Sequence, residues 1–343
     1  MPRWRFIAGA FLALLLALPS ASTAQEDDCR TFFPDFDSGC DREFRPEGYI
    51  APMAMPFLFE DPFITTGAQF AVVYHEFPGE SALRGGHQTV LALQLRAAIT
   101  DKLAFIATKD GLTIFRPDTK ESDAGVAGSN KDLLDDDEAF YDMTVGFKYK
   151  LLDLPDQNFV FTPALRYEIP LGQQSVFQGQ GDGVFIPSFS TAWGGGAVGL
   201  DDFHVLGSFG AQLPVDDEIN SHSLFYNFHF DYAVHEHFVP FFVISGMTWV
   251  DGGDGSQKVD TSLGSLPIGT AQGALRTGPF EGVDVANLGS QSMAGHDYVV
   301  WGLGFRVPIN RNANLGLLYE HPFADSSREI TKQRVTFMLA YDF

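Results

Sequence analysis

The chain has 343 residues, 45% of them hydrophobic and 14% aromatic, with 33 Phe, 35 Gly and only 2 Cys. Its 44 acidic residues against 22 basic ones give a formal net charge of −22, which excludes the basic footprint of a nucleic-acid binder. Beyond the first 24 residues, no apolar run approaches the roughly 20 residues that a membrane-spanning helix needs.

Met1 to Ala24 carries a basic start (Arg3, Arg5), an apolar run from Phe11 to Leu18 and the small-residue site Ser22-Thr23-Ala24. That order is the pattern of a secretory signal peptide, with cleavage expected near Ala24. Cys29 follows Gln25-Glu26-Asp27-Asp28 rather than a small-residue box, so no lipid anchor is expected. Loss of Arg3 and Arg5 takes the mature charge to about −24. An exported chain of this composition is either a secreted β-protein or an outer-membrane barrel.

Residues 25–61 have no clean period. They hold Cys29, Cys40, several prolines and the runs "TFFPDF" and "PMAMPFLFEDPF". In an oxidising periplasm the two cysteines are expected to form a disulfide. The Met and Phe content asks for burial, so the segment reads as an N-terminal extension or plug, periplasmic or lumenal, ahead of a barrel over 62–343.

From there on, period-two alternation dominates. In Leu224 to Val234 the even positions (Leu224, Tyr226, Phe228, Phe230, Tyr232, Val234) are apolar or aromatic, whereas Asn227, His229 and Asp231 lie on the other face. The split recurs in 141–151 and 159–169. One such strand would suit a soluble sandwich equally well. Repetition along most of the chain, with charges on the second face, predicts a transmembrane antiparallel up-and-down β-barrel, all-β, with lipid outside and a polar lumen. About twelve strands are expected, near 64–77, 87–99, 103–115, 139–151, 158–169, 184–197, 202–214, 222–235, 238–250, 296–309, 313–322 and 330–343. Alternation is poorest in 103–115 and in 238–250, where Pro240 intrudes.

The connections alternate in length. Thr100-Asp101-Lys102, Asp153 to Gln157, Gly199-Leu200-Asp201, Glu236-His237 and Asn310-Arg311-Asn312 are tight turns, whereas 116–138 and the Gly- and Ser-rich 251–295 are long. Short periplasmic turns and long external loops are the outer-membrane pattern. The final "VTFMLAYDF" alternates to its end, so the last strand is expected to close on the first, with Tyr341 and Phe343 at the periplasmic aromatic girdle. A last strand ending in Phe also resembles the signal that barrel-insertion machinery recognises.

This register turns Gln94, Arg96, Asp142, Lys148, Lys150, Arg166, Glu168, His229, Asp231, Arg306, Glu320, Lys332 and Arg334 inward. A twelve-strand barrel is narrow, so opposite charges would lie close enough to pair. Either they form structural networks, or Arg96, Lys148, Arg166, Arg306 and Arg334 form a basic ladder for an anionic solute.

Two acidic loops, "DLLDDDE" (Asp132, Asp135, Asp136, Asp137, Glu138) and "DGGDG" (Asp251, Asp254), lack the spacing of a calcium loop, and no metal or other cofactor is expected. They suit loose contact with lipopolysaccharide or solvent. Ser221-His222-Ser223 alternate across a strand, so His222 cannot serve either serine, and His229 with Asp231 has no evident serine partner. No catalytic residue is expected.

"LQLRAAITDKLAFIATKDGL" (93–112), "YDMTVGFKYKLLDLPDQNFVFTPALRYEIPLG" (141–172), "GQGDGVFIPSFSTAW" (179–193) and "SLFYNFHFDYAVHEHFVPFFVISG" (223–246) together resemble successive hairpins of the outer-membrane transporter family associated with meta-pathway phenol degradation. The resemblance spans roughly 90 to 250 and implies a barrel that passes small solutes, hydrophobic or aromatic ones among them. The expectation is thus an integral bacterial outer-membrane channel or transporter, in contact with lipid, lipopolysaccharide, the insertion machinery and a small-molecule solute. The alternative is a closed structural or adhesive barrel acting through its long loops.

Overall fold

The computed structural model describes residues 45, 48–276, 280–310, 312–324 and 330–343. The expected signal peptide, the Cys29–Cys40 disulfide and Arg311 of the last tight turn lie outside these residues.

In chain order the elements are β1 (Gly67–Glu76), β2 (Gly86–Ala98), β3 (Leu103–Ala107), β4 (Gly111–Pro117), β5 (Asp137–Phe140), β6 (Met143–Tyr149), β7 (Leu152–Leu154), β8 (Phe159–Ile169), β9 (Val184–Gly194), β10 (Phe203–Pro214), β11 (His222–Tyr232) and β12 (Val239–Asp251). After these come β13 (Lys258–Thr261), β14 (Gly264–Pro267), α1 (Ile268–Leu275), β15 (Asp297–Pro308), β16 (Ala313–Pro322) and β17 (Gln333–Asp342). Strands β3 and β4 form one interrupted stave, as do β5 and β6, and β7 extends the hairpin with β8. The result is a closed antiparallel barrel of twelve staves. Its seam is the β1–β17 pair, in register from Gly67↔Asp342 to Glu76↔Gln333. Closure leaves no unpaired sheet edge in lipid, where each orphan backbone group costs several kcal/mol, roughly.

The alternation read from the sequence is the wall of this barrel. In β11, Phe225, Asn227, His229 and Asp231 are buried while Leu224, Phe228 and Tyr232 are exposed. Leu95, Phe147, Leu165, Phe189, Phe209, Leu303 and Phe337 extend the outer apolar belt.

The two stretches of weak alternation have separate causes. The third stave breaks at Thr108-Lys109-Asp110, opposite the break at Tyr141-Asp142 in the fourth. Bonds from Thr108 N to Thr144 O (2.9 Å), Leu93 N to Asp110 O (2.8 Å) and Tyr141 N to Gly111 O (3.0 Å) carry the sheet across. An interruption of this kind resets which residues face inward. β12 is unbroken but apolar on both sides, because its inner Phe241, Val243, Met247 and Trp249 pack against a filled lumen rather than water.

Candidate functional site

Residues 48–66 run into the barrel and back as a hairpin, hereafter the stopper. Its first arm starts at the short-turn end, where the Tyr49 ring lies 4.3 Å from His204 and its hydroxyl donates to Asn158 O (3.5 Å). The tip turns at Met55, whose carbonyl accepts from Leu58 N (2.8 Å) and Phe59 N (2.9 Å). The second arm returns to the same end, where Thr66 O accepts from Phe343 N (2.8 Å) and Thr66 Oγ1 from Ala98 N (3.0 Å). Ile50 to Ile64 are all buried.

Non-helical backbone is tolerated at membrane depth only where protein satisfies its polar groups. Pro52, Pro56 and Pro62 remove three N–H donors from the stopper. Its carbonyls are met by side chains of the wall. Arg306 donates to Ala51 O (2.7 Å), Gln94 to Pro56 O, Arg166 to Phe57 O (2.9 Å) and Leu58 O (3.1 Å), Lys148 to Asp61 O (3.0 Å), and Thr162 to Pro62 O (2.7 Å).

Charge pairing fixes the second arm. Arg96 grips Glu60 bidentately, Nε to Oε1 at 2.8 Å and Nη2 to Oε2 at 2.6 Å. Lys148 Nζ reaches Glu60 Oε1 (2.7 Å) and Asp61 Oδ1 (3.2 Å), and Arg45 reaches Asp61 Oδ2 (2.8 Å). Four of the five cations of the expected ladder, Arg96, Lys148, Arg166 and Arg306, therefore hold the stopper.

The fifth, Arg334, holds a second insertion. Residues 252–296 are exposed at many positions but are not solvated throughout. They form the β13–β14 hairpin and α1, then send Phe280, Glu281, Val283, Asp284, Val285 and Leu288 into buried positions. Arg334 binds Asp284 through two bonds (2.6 and 3.2 Å), with Glu320 facing Arg334 across the β16–β17 ladder. Glu281 accepts from Ser221 Oγ (2.5 Å), Gly282 N (2.8 Å), Ser290 N (2.9 Å) and Leu288 N. Burial pushes the Glu281 carboxyl above its ordinary value, and these donors oppose that rise. Gly289 sits at φ +58°, and a Cβ there would stand 1.7 Å from Ile219 O. Gly289→Ala is therefore expected to loosen the insertion, seen as protease cleavage within 280–290 of the folded barrel. Wild-type resistance would show that this contact does not secure it.

The remaining inward residues form smaller groups. Asp231 bridges His204 Nδ1 (2.8 Å) and His229 Nε2 (3.1 Å), all three buried. Glu168 takes Lys109 (2.9 Å), Lys150 pairs with Asp153 (2.9 Å), and Asp142 accepts from Gly172 N (2.8 Å) and Gly179 N (2.9 Å). Lys332 corrects the sequence register: it precedes β17, is exposed, and pairs with Glu76 at the surface (2.6 Å). In the acidic loops, Asp132 meets Lys120, Asp136 and Glu138 meet Arg116 (3.3 and 3.0 Å), and Asp251 and Asp254 cap Gly252 N and Ser256 N. Ser223 donates to Gln212 (2.8 Å), not to a histidine.

Glu60, Asp61, Lys109, His204 and Asp284 were not singled out from the sequence. A signal existed for His204, which shares the inward register of Ser208 and Gln212. Adjacent acids in the apolar, proline-flanked "FLFEDPF" were a second one.

A closed twelve-stave barrel with an apolar belt and charges buried within is the architecture of integral outer-membrane β-barrel proteins. In agreement, the chain is similar to an outer membrane channel from Pseudomonas putida F1, with a TM-score of 0.51 at 11% identity over 86% of this chain and 100% of that one. The NanC porin (TM-score 0.43, 7% identity, 80% and 98% covered) and the KdgM porin (0.39, 9%, 80% and 99%) are further matches. At these identities the likeness speaks for the fold alone. No family model and no curated relative matches the sequence.

Proposed function

We propose that this protein is an outer-membrane channel for small solutes that is shut at rest by its stopper. The observation that carries the reading is the origin of the lumenal pairing. Arg96, Lys148, Arg166 and Arg306 belong to the wall, whereas the carboxylates and most of the carbonyls they bind belong to a segment outside the β-sheet. Withdrawal of residues 48–63 leaves the wall intact and lined by cations. In this reading Arg96, Lys148, Arg166, Glu168, His229, Asp231, Arg306, Glu320 and Arg334 line the solute path, and the chemistry is passage without catalysis. Phenols and related aromatics are the solutes that the sequence resemblance suggests. Tyr341 and Phe343, ring centroids 5.1 Å apart at the end of the closing strand, serve the insertion machinery, and the acidic loops face lipopolysaccharide.

A closed structural barrel is the second reading, and the filled lumen favours it. Single-channel conductance of the mature protein in planar bilayers, with and without residues 45–63, separates the two. The channel reading expects rare openings from the whole chain and steady, anion-selective current from the shortened one. Silence from both, with folding shown by the heat-dependent gel shift, would leave the sealed barrel.

A further inference from the structure

Within the stopper's binding surface, three cations share one patch of wall. Arg96 on β2 faces Ile106 on β3, Ile106 faces Gly146 on β6, and Gly146 faces Arg166 on β8, so the two arginines occupy one transverse row. Lys148 lies two residues along β6, between Ala104 and Ala164. The residues between the cations are small or aliphatic. Gly146 is required there, since a Cβ would come within 2.6 Å of Arg166 Cα and 2.9 Å of Arg166 Cγ.

Two wall carboxylates lie near this patch, Glu168 two residues along β8 from Arg166 and Asp342 in the row of Arg96. Among the described residues, however, Glu168 pairs with Lys109 and Asp342 with Arg45 (3.7 Å), and neither pairs with the three cations. The carboxylates that pair with Arg96 and Lys148 are Glu60 and Asp61, both on the stopper, and Asp61 is shared with Arg45. Arg166, fully buried, makes no ion pair among the described residues and is held by two stopper carbonyls and Thr108 Oγ1 (3.3 Å). Buried cations of this kind are costly unless something anionic meets them. Once the stopper withdraws, three of them remain together.

We infer that Arg96, Lys148 and Arg166 form a binding site for the carboxylate of a small solute with an apolar body, and that Glu60 occupies the site as the protein's own stand-in for that solute. The inference rests on the channel reading and adds to it the chemistry of the solute. Glu60 displays the required acceptor: a planar carboxylate with one oxygen shared by Arg96 Nε and Lys148 Nζ and the other on Arg96 Nη2, the fork geometry that guanidinium matches best. Its neighbours Phe57, Leu58 and Phe59 are buried apolar groups, and Phe57 packs edge-on against Tyr141 (5.8 Å). The space they vacate is therefore apolar beside a cationic patch. A carboxylate solute opens its path by taking the place of Glu60.

Benzoate and benzyl alcohol, which share a ring and differ in charge, test this on the wild-type mature protein. Benzoate is expected to speed hydrogen exchange in residues 55–61 in a saturable manner, and benzyl alcohol to leave it unchanged. In Glu60→Gln, benzoate should bind about tenfold more tightly, because the internal competitor has lost its charge. In Arg96→Gln, binding should fall by about tenfold or more, the loss of one charge-assisted bidentate contact. Equal effects of the two compounds on the wild type, or a benzoate effect untouched by Arg96→Gln, would overturn the proposal. Bilayer currents keep the two readings apart. Benzoate-driven exchange without current from either chain length leaves the site standing and removes the channel; current indifferent to benzoate does the reverse.

Discussion

Asp284→Ala is expected to destabilise the barrel by about 3–5 kcal/mol, the usual cost of stranding one member of a buried ion pair. Arg334 and Asp284 have side-chain exposures of 2% and 0%, so water cannot replace the lost partner. Glu320, opposite Arg334 in the ladder, compensates in part and places the effect toward the lower figure. Arg334→Ala should cost more than Asp284→Ala, since it strands Asp284 and takes from Glu320 the cation it faces. The double variant should cost less than the two single changes combined, because neither charge is then left alone. Urea unfolding of the refolded barrel, followed by tryptophan fluorescence, measures all three. A shift below about 1 kcal/mol for Asp284→Ala would mean that the insertion relaxes enough to hydrate Arg334.

The second large effect is on gating. Glu60→Gln combined with Asp61→Asn keeps the shape of both side chains and removes the charges that Arg96, Lys148 and Arg45 bind. Hydrogen bonds to charged groups contribute about 1.5–3 kcal/mol each. A net loss of roughly 3 kcal/mol would raise the ratio of open to closed barrels by about two orders of magnitude. Bilayer recordings should then show frequent openings with anion-selective reversal potentials, whereas Glu76→Gln, at the surface, should behave as wild type. If the double variant is as quiet as wild type while the chain lacking residues 45–63 conducts, the bonds from Arg166, Arg306 and Thr162 to stopper carbonyls suffice to hold it.

The wall was legible in the sequence strand by strand, and its filling only as a Met- and Phe-rich segment that asks for burial, for a physical reason. A strand in a barrel wall has lipid on one side and protein or water on the other, and this asymmetry writes a period of two into every stave. The expected strand at 313–322 is β16 itself, and 158–169 and 202–214 begin one residue before β8 and β10. Where the backbone departs from a continuous strand the reading failed locally: the break at 108–110 hid Lys109, and the ladder begins at Gln333, not Lys332. Ile50 to Ile64 of the stopper and residues 280–290 of the insertion are almost wholly buried in protein. With no polarity gradient across them, they carry no period that could show on which side of the membrane, or against which wall, they lie. Their partners were visible as unexplained inward cations, but the pairings join residues as distant as Lys148 and Glu60 or Arg306 and Ala51.

The hairpin course of the stopper constrains how the lumen can clear. Both arms leave through the same mouth, beside Asn158 and Thr66, so nothing has to thread past the tip and no stave has to part from its neighbour. In the channel reading the moving piece includes residues 48–66, tethered at Gly67 to a wall that stays closed. In that reading clearing is a retreat toward the short-turn side, and the tether keeps the piece at hand to return.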